Sequence, residues 1–165
     1  MAEKEIQELY INNVEEKEEE MNAMLQMVQD FANRDTFPTC MIKKVLDEKN
    51  EVLGYTIDFV HPFYMAQPVC AFPNIIVRIN NRQFLPEAIS LIADGQIIPI
   101  KTAKTIHSIW LGFGEINQIL IDARAIEEGF LKEENKVSVT FELRMTMAKF
   151  MPFPPLTVKK TMKAG

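Results

Sequence analysis

Histidine, cysteine and tryptophan are scarce in this chain of 165 residues, with two, two and one copies. The histidines, His61 and His107, are the side chains whose ordinary pKa suits proton transfer near neutrality, and both lie in aromatic surroundings that fit a structural or interface role. Asp58 is close to His61 in sequence, but three residues along a strand place the two on opposite faces. There is no GxSxG, no HExxH and no phosphate-cradling glycine loop, and Gly112-Phe-Gly114 is too short to serve as one. Cys40 and Cys70 have neither CxxC spacing nor flanking histidines, which makes free thiols the expectation and argues against a zinc site. No residue is assigned a catalytic role and no metal-ligand set is found.

Positive charge and long apolar runs are also lacking. Lys and Arg number 18 against 23 Asp and Glu, a formal net charge of -5, so a phosphate-binding nucleic-acid surface is not expected. No apolar run approaches the roughly 18 residues of a membrane span. Met1-Ala-Glu-Lys-Glu5 lacks the basic and then apolar regions of a signal peptide, so a cytoplasmic location is expected. A chain of this length supports one sizeable core.

What is present divides the chain into three. Over residues 3 to 33, Ile6, Tyr10, Val14, Met21, Leu25, Val28 and Ala32 recur at helical steps, and the run Glu15-Glu-Lys-Glu-Glu-Glu20 lies opposite them as a solvated face. This predicts a helical arm over residues 1–38, ended by Pro38, which disfavours helical geometry at Phe37. From Cys40 the period falls to two. Met41 to Leu46 and Val52 to Val60 read as a hairpin in which Tyr55, Ile57 and Phe59 alternate with Thr56, Asp58 and Val60, one face packed and the other largely polar. Ile75 to Ile79 turns at Asn80-Asn81 into Gln83-Phe-Leu85, and Ile89 to Ala93 turns at Asp94-Gly95 into Gln96 to Ile100. Ile116 to Ala123 and Lys136 to Lys149 are further strands. Short strands with turn signals at such spacing predict an all-β domain over residues 39–149, a β-sandwich of immunoglobulin-like kind. Residues 150–165 read as a Pro-rich, locally polyproline-like docking tail.

The candidate contact residues are aromatic or amphipathic. Pro62 and Pro68 exclude the segment between them from a sheet, so His61, Phe63, Tyr64 and Met65 form a loop. They either meet a partner or fold back to plug the end of their own domain. His107 and Trp110 sit in an apolar, glycine-bracketed segment that is irregular or a bent strand; Trp110 suits the core, or a stacking platform for a sugar or flavonoid. Phe150 and Phe153 give the tail its aromatic content.

Gly54-Tyr-Thr-Ile-Asp-Phe59, Pro62-Phe-Tyr64, Ile75-Ile-Val-Arg-Ile79, Ile92-Ala-Asp-Gly95 and Ile109-Trp-Leu-Gly-Phe-Gly-Glu115, in that order, resemble the small β subunit of bacterial C-glycoside deglycosidases. The likeness covers residues 40 to about 149. It implies a β-sandwich chain that assembles with a TIM-barrel α subunit of the sugar-phosphate isomerase/epimerase type into a hetero-oligomer. Such complexes cleave the carbon-carbon bond between a 3-oxo-glucosyl unit and a flavonoid or other aromatic aglycone. The ketone acidifies the neighbouring C–H, a base forms the enolate, and the aryl group leaves as its carbon is protonated. The resemblance implies no cofactor in this chain. It assigns a divalent metal, usually manganese, and the catalytic histidine to the α subunit, which also binds most of the 3-oxo-C-glucoside. The role left to this chain is to stabilise that subunit and wall its pocket. Alternatives from the residues alone are a non-enzymatic β-sandwich module that binds a sugar or a protein, and an accessory subunit of a sugar isomerase or epimerase.

Overall fold

A computed structural model describes residues 2–63, 65–144 and 154–165; for residues 2–15, 17 and 21 it describes the backbone alone. Helix α1, Ala2–Asp35, opens the chain. Its residues are strong helix formers, chiefly Glu, Lys, Met, Leu and Gln, without an interrupting Gly or Pro. Its last turns are seated. Val28 and Ala32, one helical step of four apart, are buried with Phe37 just beyond the helix end, and the Gln29 amide donates to the Thr157 carbonyl at 3.0 Å. Upstream, Glu16, Glu18, Glu19 and Glu20 are exposed.

The strands are β1 Met41–Leu46, β2 Val52–Phe59, β3 Gln67–Pro68, β4 Asn74–Ile79, β5 Arg82–Gln83, β6 Ile89–Ala93, β7 Gln96–Pro99, β8 Trp110–Leu111, β9 Asn117–Asp122, β10 Glu134–Glu142 and β11 Leu156–Ala164. The expected hairpins form where the turn chemistry placed them. Asn80 and Asn81 take φ of 50° and 70°, and Asp94 and Gly95 take 51° and 68°, the left-handed pairs that match strand twist in a two-residue turn. In the β1–β2 turn the Asp47 carboxylate accepts from the backbone N–H of Lys49 and Glu51.

Nine strands share one hydrogen-bonded sheet in the order β5-β4-β10-β11-β1-β2-β9-β6-β7, and β3 pairs with β8 as a separate ribbon. The all-β class holds. The sheet is open and curled: Phe59 on β2 and Phe141 on β10 have β11 and β1 between them, which in a flat sheet spans about 14 Å at ~4.8 Å per step, yet their ring centroids are 5.8 Å apart. The inner face carries Ile57, Ile119, Leu91, Val77, Ile79, Val139, Val158 and Met162, all fully or almost fully buried, each contributing about 1.5–3 kcal/mol by leaving water.

Four expectations are corrected. Residues 156–164 are no docking tail: β11 runs antiparallel to β10 from Phe141↔Leu156 to Glu134↔Lys163 and parallel to β1 at Met41↔Lys163. Leu156, Val158 and Met162 give it a buried side, and both its edges are hydrogen-bonded. The helical arm is not wholly an appendage, since its C-terminal end joins the sheet's own core. Strand β10 starts at Glu134 and stops at Glu142, short of Lys149; residues 145–149 lie outside the described residues. Finally, β2 is buried on both faces, with Thr56 and Asp58 almost as covered as Ile57 and Phe59. The Asp58 carboxylate is satisfied by Lys43 Nζ and Gln118 Nε2, each at 2.9 Å, from the neighbouring strands. Burial works to raise the Asp58 pKa, but the Gln118 and Lys43 hydrogen bonds with the Lys43 charge outweigh it, and the net direction is downward.

Candidate functional site

Strand β2 leaves the sheet at Phe59, and the chain enters the segment bounded by Pro62 and Pro68. His61 is fully buried there. Its Nε2 lies 3.1 Å from the Leu111 carbonyl and donates to it, while Nδ1 accepts from the Phe63 N–H at 3.3 Å. With both nitrogens engaged, one as donor and one as acceptor, the ring is held as the neutral tautomer. Burial lowers its pKa below the ordinary 6.5, and the backbone carbonyls of Leu111 and Gly112 offset this only in part. A neutral, saturated, buried imidazole is a brace between two loops.

The brace is extended on both sides. Gln67 and Pro68 pair with Leu111 and Trp110, and the Val69 N–H donates to the Ile109 carbonyl at 2.9 Å. Underneath, the rings of His61, Phe63 and Phe72 lie 6.0–6.2 Å from one another, and Phe72 reaches Phe141 at 6.3 Å edge-on. Thus His61 and Phe63 fold back and close the domain's own core. Tyr64 lies outside the described residues.

Above this floor the loops turn apolar groups outward. Met65 is 62% exposed, Trp110 55%, Phe113 60% and Ile116 54%. A tight turn spaces the last three: Gly114 has φ of +70°, which favours glycine, the Glu115 N–H donates to the Gly112 carbonyl, and the Gly112 N–H donates to Glu115 Oε2 at 2.7 Å. Trp110, which the sequence suited to the core, is half outside it, because a two-residue strand at a loop edge has one covered side and that side takes Leu111. Large exposed apolar side chains on neighbouring, hydrogen-bonded loops offer a contact platform.

His107 stands at the margin of this platform, exposed, with its Nδ1 3.3 Å from the Sγ of Cys70. Cys40 differs, since its thiol donates to the Phe37 carbonyl at 3.2 Å. Both cysteines are free. Among the described residues no three His, Cys, Asp or Glu side chains gather as a metal set, and no helix is long and apolar enough to cross a membrane. Phe150 and Phe153 lie outside the described residues.

Sequence reasoning brought His61, Phe63, Met65 and Trp110 forward, and the structure places these in one region. It overlooked Phe113, Ile116, Phe72 and the Cys70–His107 pair. The two glycines around Phe113 were the available signal, since a glycine-bracketed apolar turn aims its residues outward. Comparison of the chain with family models and with curated proteins gives no match.

Proposed function

We propose that this chain is the β subunit of a C-glycoside deglycosidase complex, and that the platform of Met65, Trp110, Phe113 and Ile116 is where its TIM-barrel α subunit docks. The observation that supports this reading most is spatial. The glycine-led strand with Pro62-Phe63 and the block from Ile109 to Glu115, the two most specific pieces of the resemblance, are far apart in sequence yet are joined by the His61–Leu111 hydrogen bond and the β3–β8 ribbon. Gly54, inside that strand, is required there: a Cβ would run into the Ile121 carbonyl oxygen. The curl of the sheet supports a sandwich-like arrangement with two facing layers, the immunoglobulin-like form that this reading includes.

In such a complex the metal and the base would belong to the α subunit, where they would supply the charge stabilisation and proton transfer that the elimination needs. The part assigned to this chain is mechanical. A platform held by a neutral, buried histidine excludes water from the partner's pocket rim, which strengthens the electrostatics inside without adding a proton carrier.

Reconstitution tests the proposal. The chain mixed with a TIM-barrel subunit encoded beside it should co-elute in stoichiometric amount and cleave a 3-oxo-C-glucoside. A variant with Trp110→Ala, Phe113→Ala and Ile116→Ala should stay folded and bind at least about 30-fold more weakly, as for lost anchors of about 2 kcal/mol. Full affinity of the triple variant would remove the platform from the interface, and absence of a partner would sink the assignment. The exposed Trp110 ring also favours a second reading, a sugar-binding module; saturable quenching of its fluorescence by free glucosides would support it.

A further inference from the structure

Strands β4, β10 and β11 carry a groove of about 480 Å³ whose outward row is Arg78, Lys136, Ser138, Lys159 and Thr161, and whose lining also includes Asn81, the buried Val137 and its ladder partner Lys160. Four cations line it and no carboxylate does, in a chain whose formal net charge is -5. Strand register sets the row: Ser138 pairs with Arg78 on one side and with Lys159 on the other, and Lys136 pairs with Thr161. Arg78 is held by the neutral Gln83 amide at 2.8 Å, and none of the four cations enters an ion pair among the described residues. The acid nearest along β10, Glu134, faces Lys163 across the ladder.

The complementary charge is in the same molecule. Glu16, Glu18, Glu19 and Glu20 are exposed on α1, and among the described residues none makes an ion pair. They precede the seated Val28 by about 12–18 Å of helix at ~1.5 Å per residue. The helix is rooted on β11 at Thr157, two residues from Lys159 in the groove. Within one chain, then, the acidic run and the basic groove spring from neighbouring points and do not meet.

We infer that they meet between two copies: the acidic stretch of α1 from one chain lies in the Arg78–Lys136–Lys159–Lys160 groove of a second, and the exchange is reciprocal. Two negatively charged chains repel at long range, so the pairing depends on local complementarity and fades with salt. The exchange gives a closed twofold dimer, because each copy supplies one arm and receives one. It does not use the platform of Trp110 and Phe113 and is independent of the function proposed above.

Sedimentation of the full chain at about 0.1 M and about 1 M salt, where the Debye length falls from about 10 Å to about 3 Å, should show a dimer that dissociates at high salt. A groove-reversed variant (Lys136→Glu, Lys159→Glu, Lys160→Glu) and an arm-reversed variant (Glu18→Lys, Glu19→Lys, Glu20→Lys) should each be monomeric. Mixed together they should form a heterodimer, since both contacts then pair opposite charges, and this recovery also shows that each variant is folded. A monomer for the unaltered chain at low salt overturns the inference, as does a dimer that survives both reversals or a mixture that stays monomeric. Calorimetry with inorganic phosphate and tripolyphosphate adds a further arm: a monomeric chain that takes up either anion, with loss in the groove-reversed variant, would assign the groove to a small anion instead.

Discussion

The segments at either end of this chain make an instructive pair. Both read from sequence as appendages, a helical arm before the domain and a docking tail after it. The structure leaves much of the first as an arm and makes the second the bridge of the sheet. In α1 the backbone hydrogen bonds close within the helix, and among the described residues it meets the body through Val28 and Ala32 and the Gln29–Thr157 hydrogen bond. In β11 the backbone bonds run chiefly to the neighbouring strands β10 and β1, and in the hydrogen-bonded order of the described sheet it is the strand that links the β5-β4-β10 part to the β1-β2-β9-β6-β7 part. Dependence on the body follows from where the backbone donors and acceptors go, more than from position in the chain.

The most severe way to probe that contrast is truncation. Removing residues 156–165 should abolish cooperative thermal unfolding followed by circular dichroism, because two ladders and the burial of Leu156, Val158 and Met162 are lost together. A truncated chain that melts cooperatively near the full chain's temperature would show the bridge to be dispensable.

Ala32→Glu attacks the arm at its tightest point. A larger, charged side chain where Ala32 is fully buried should cost about 1–3 kcal/mol in urea unfolding while leaving the strand signal intact. A loss of the whole fold would erase the distinction between the two ends.

Acid should separate the regions further, since among the described residues the buried titratable side chains, Asp58 and His61, belong to the sheet and its loops. His61 has a folded pKa below 6.5, so the unfolded chain binds the proton first. Its contribution is full above about 6.5 and is lost as pH falls from there through the folded value. Asp58, also depressed, contributes above about 3.8 and loses that contribution below it. Unfolding free energies should therefore decline in two windows, and His61→Gln should flatten only the upper one. An unchanged slope between pH 6.5 and 5 in that variant would mean His61 titrates as an ordinary imidazole. The smallest effect belongs to the arm: deleting residues 2–24 should change the chain's stability, measured at concentrations where it is monomeric, by no more than about 0.5 kcal/mol.

Much of the sheet was legible. The turns at Asn80-Asn81 and Asp94-Gly95 have few other uses between apolar runs, and Val137, Val139 and Phe141 alternate cleanly into the core. Strand β11 escaped because Pro152, Pro154 and Pro155 directly precede it and its three lysines, Lys159, Lys160 and Lys163, among polar threonines, mask the Leu156, Val158 and Met162 alternation. The double burial of β2 was hidden for another reason: Asp58 and Thr56 look solvent-facing until Lys43 and Gln118 arrive from adjacent strands to satisfy the carboxylate. At the candidate site, His61 could be singled out but not its role, because its partner is the backbone carbonyl of Leu111, a group every residue carries and no sequence pattern marks.

The position of β11 also sets the order of assembly. Among the described strands it comes after all the others, yet Met41 of β1 must find Lys163 of β11, a pairing of long sequence separation that slows folding. During synthesis β1 and β10 emerge with their inner edges unpaired, and open edges recruit neighbouring chains. Expression of this protein should therefore be sensitive to how quickly the final strand becomes available, and the soluble yield should fall when translation stalls before Leu156.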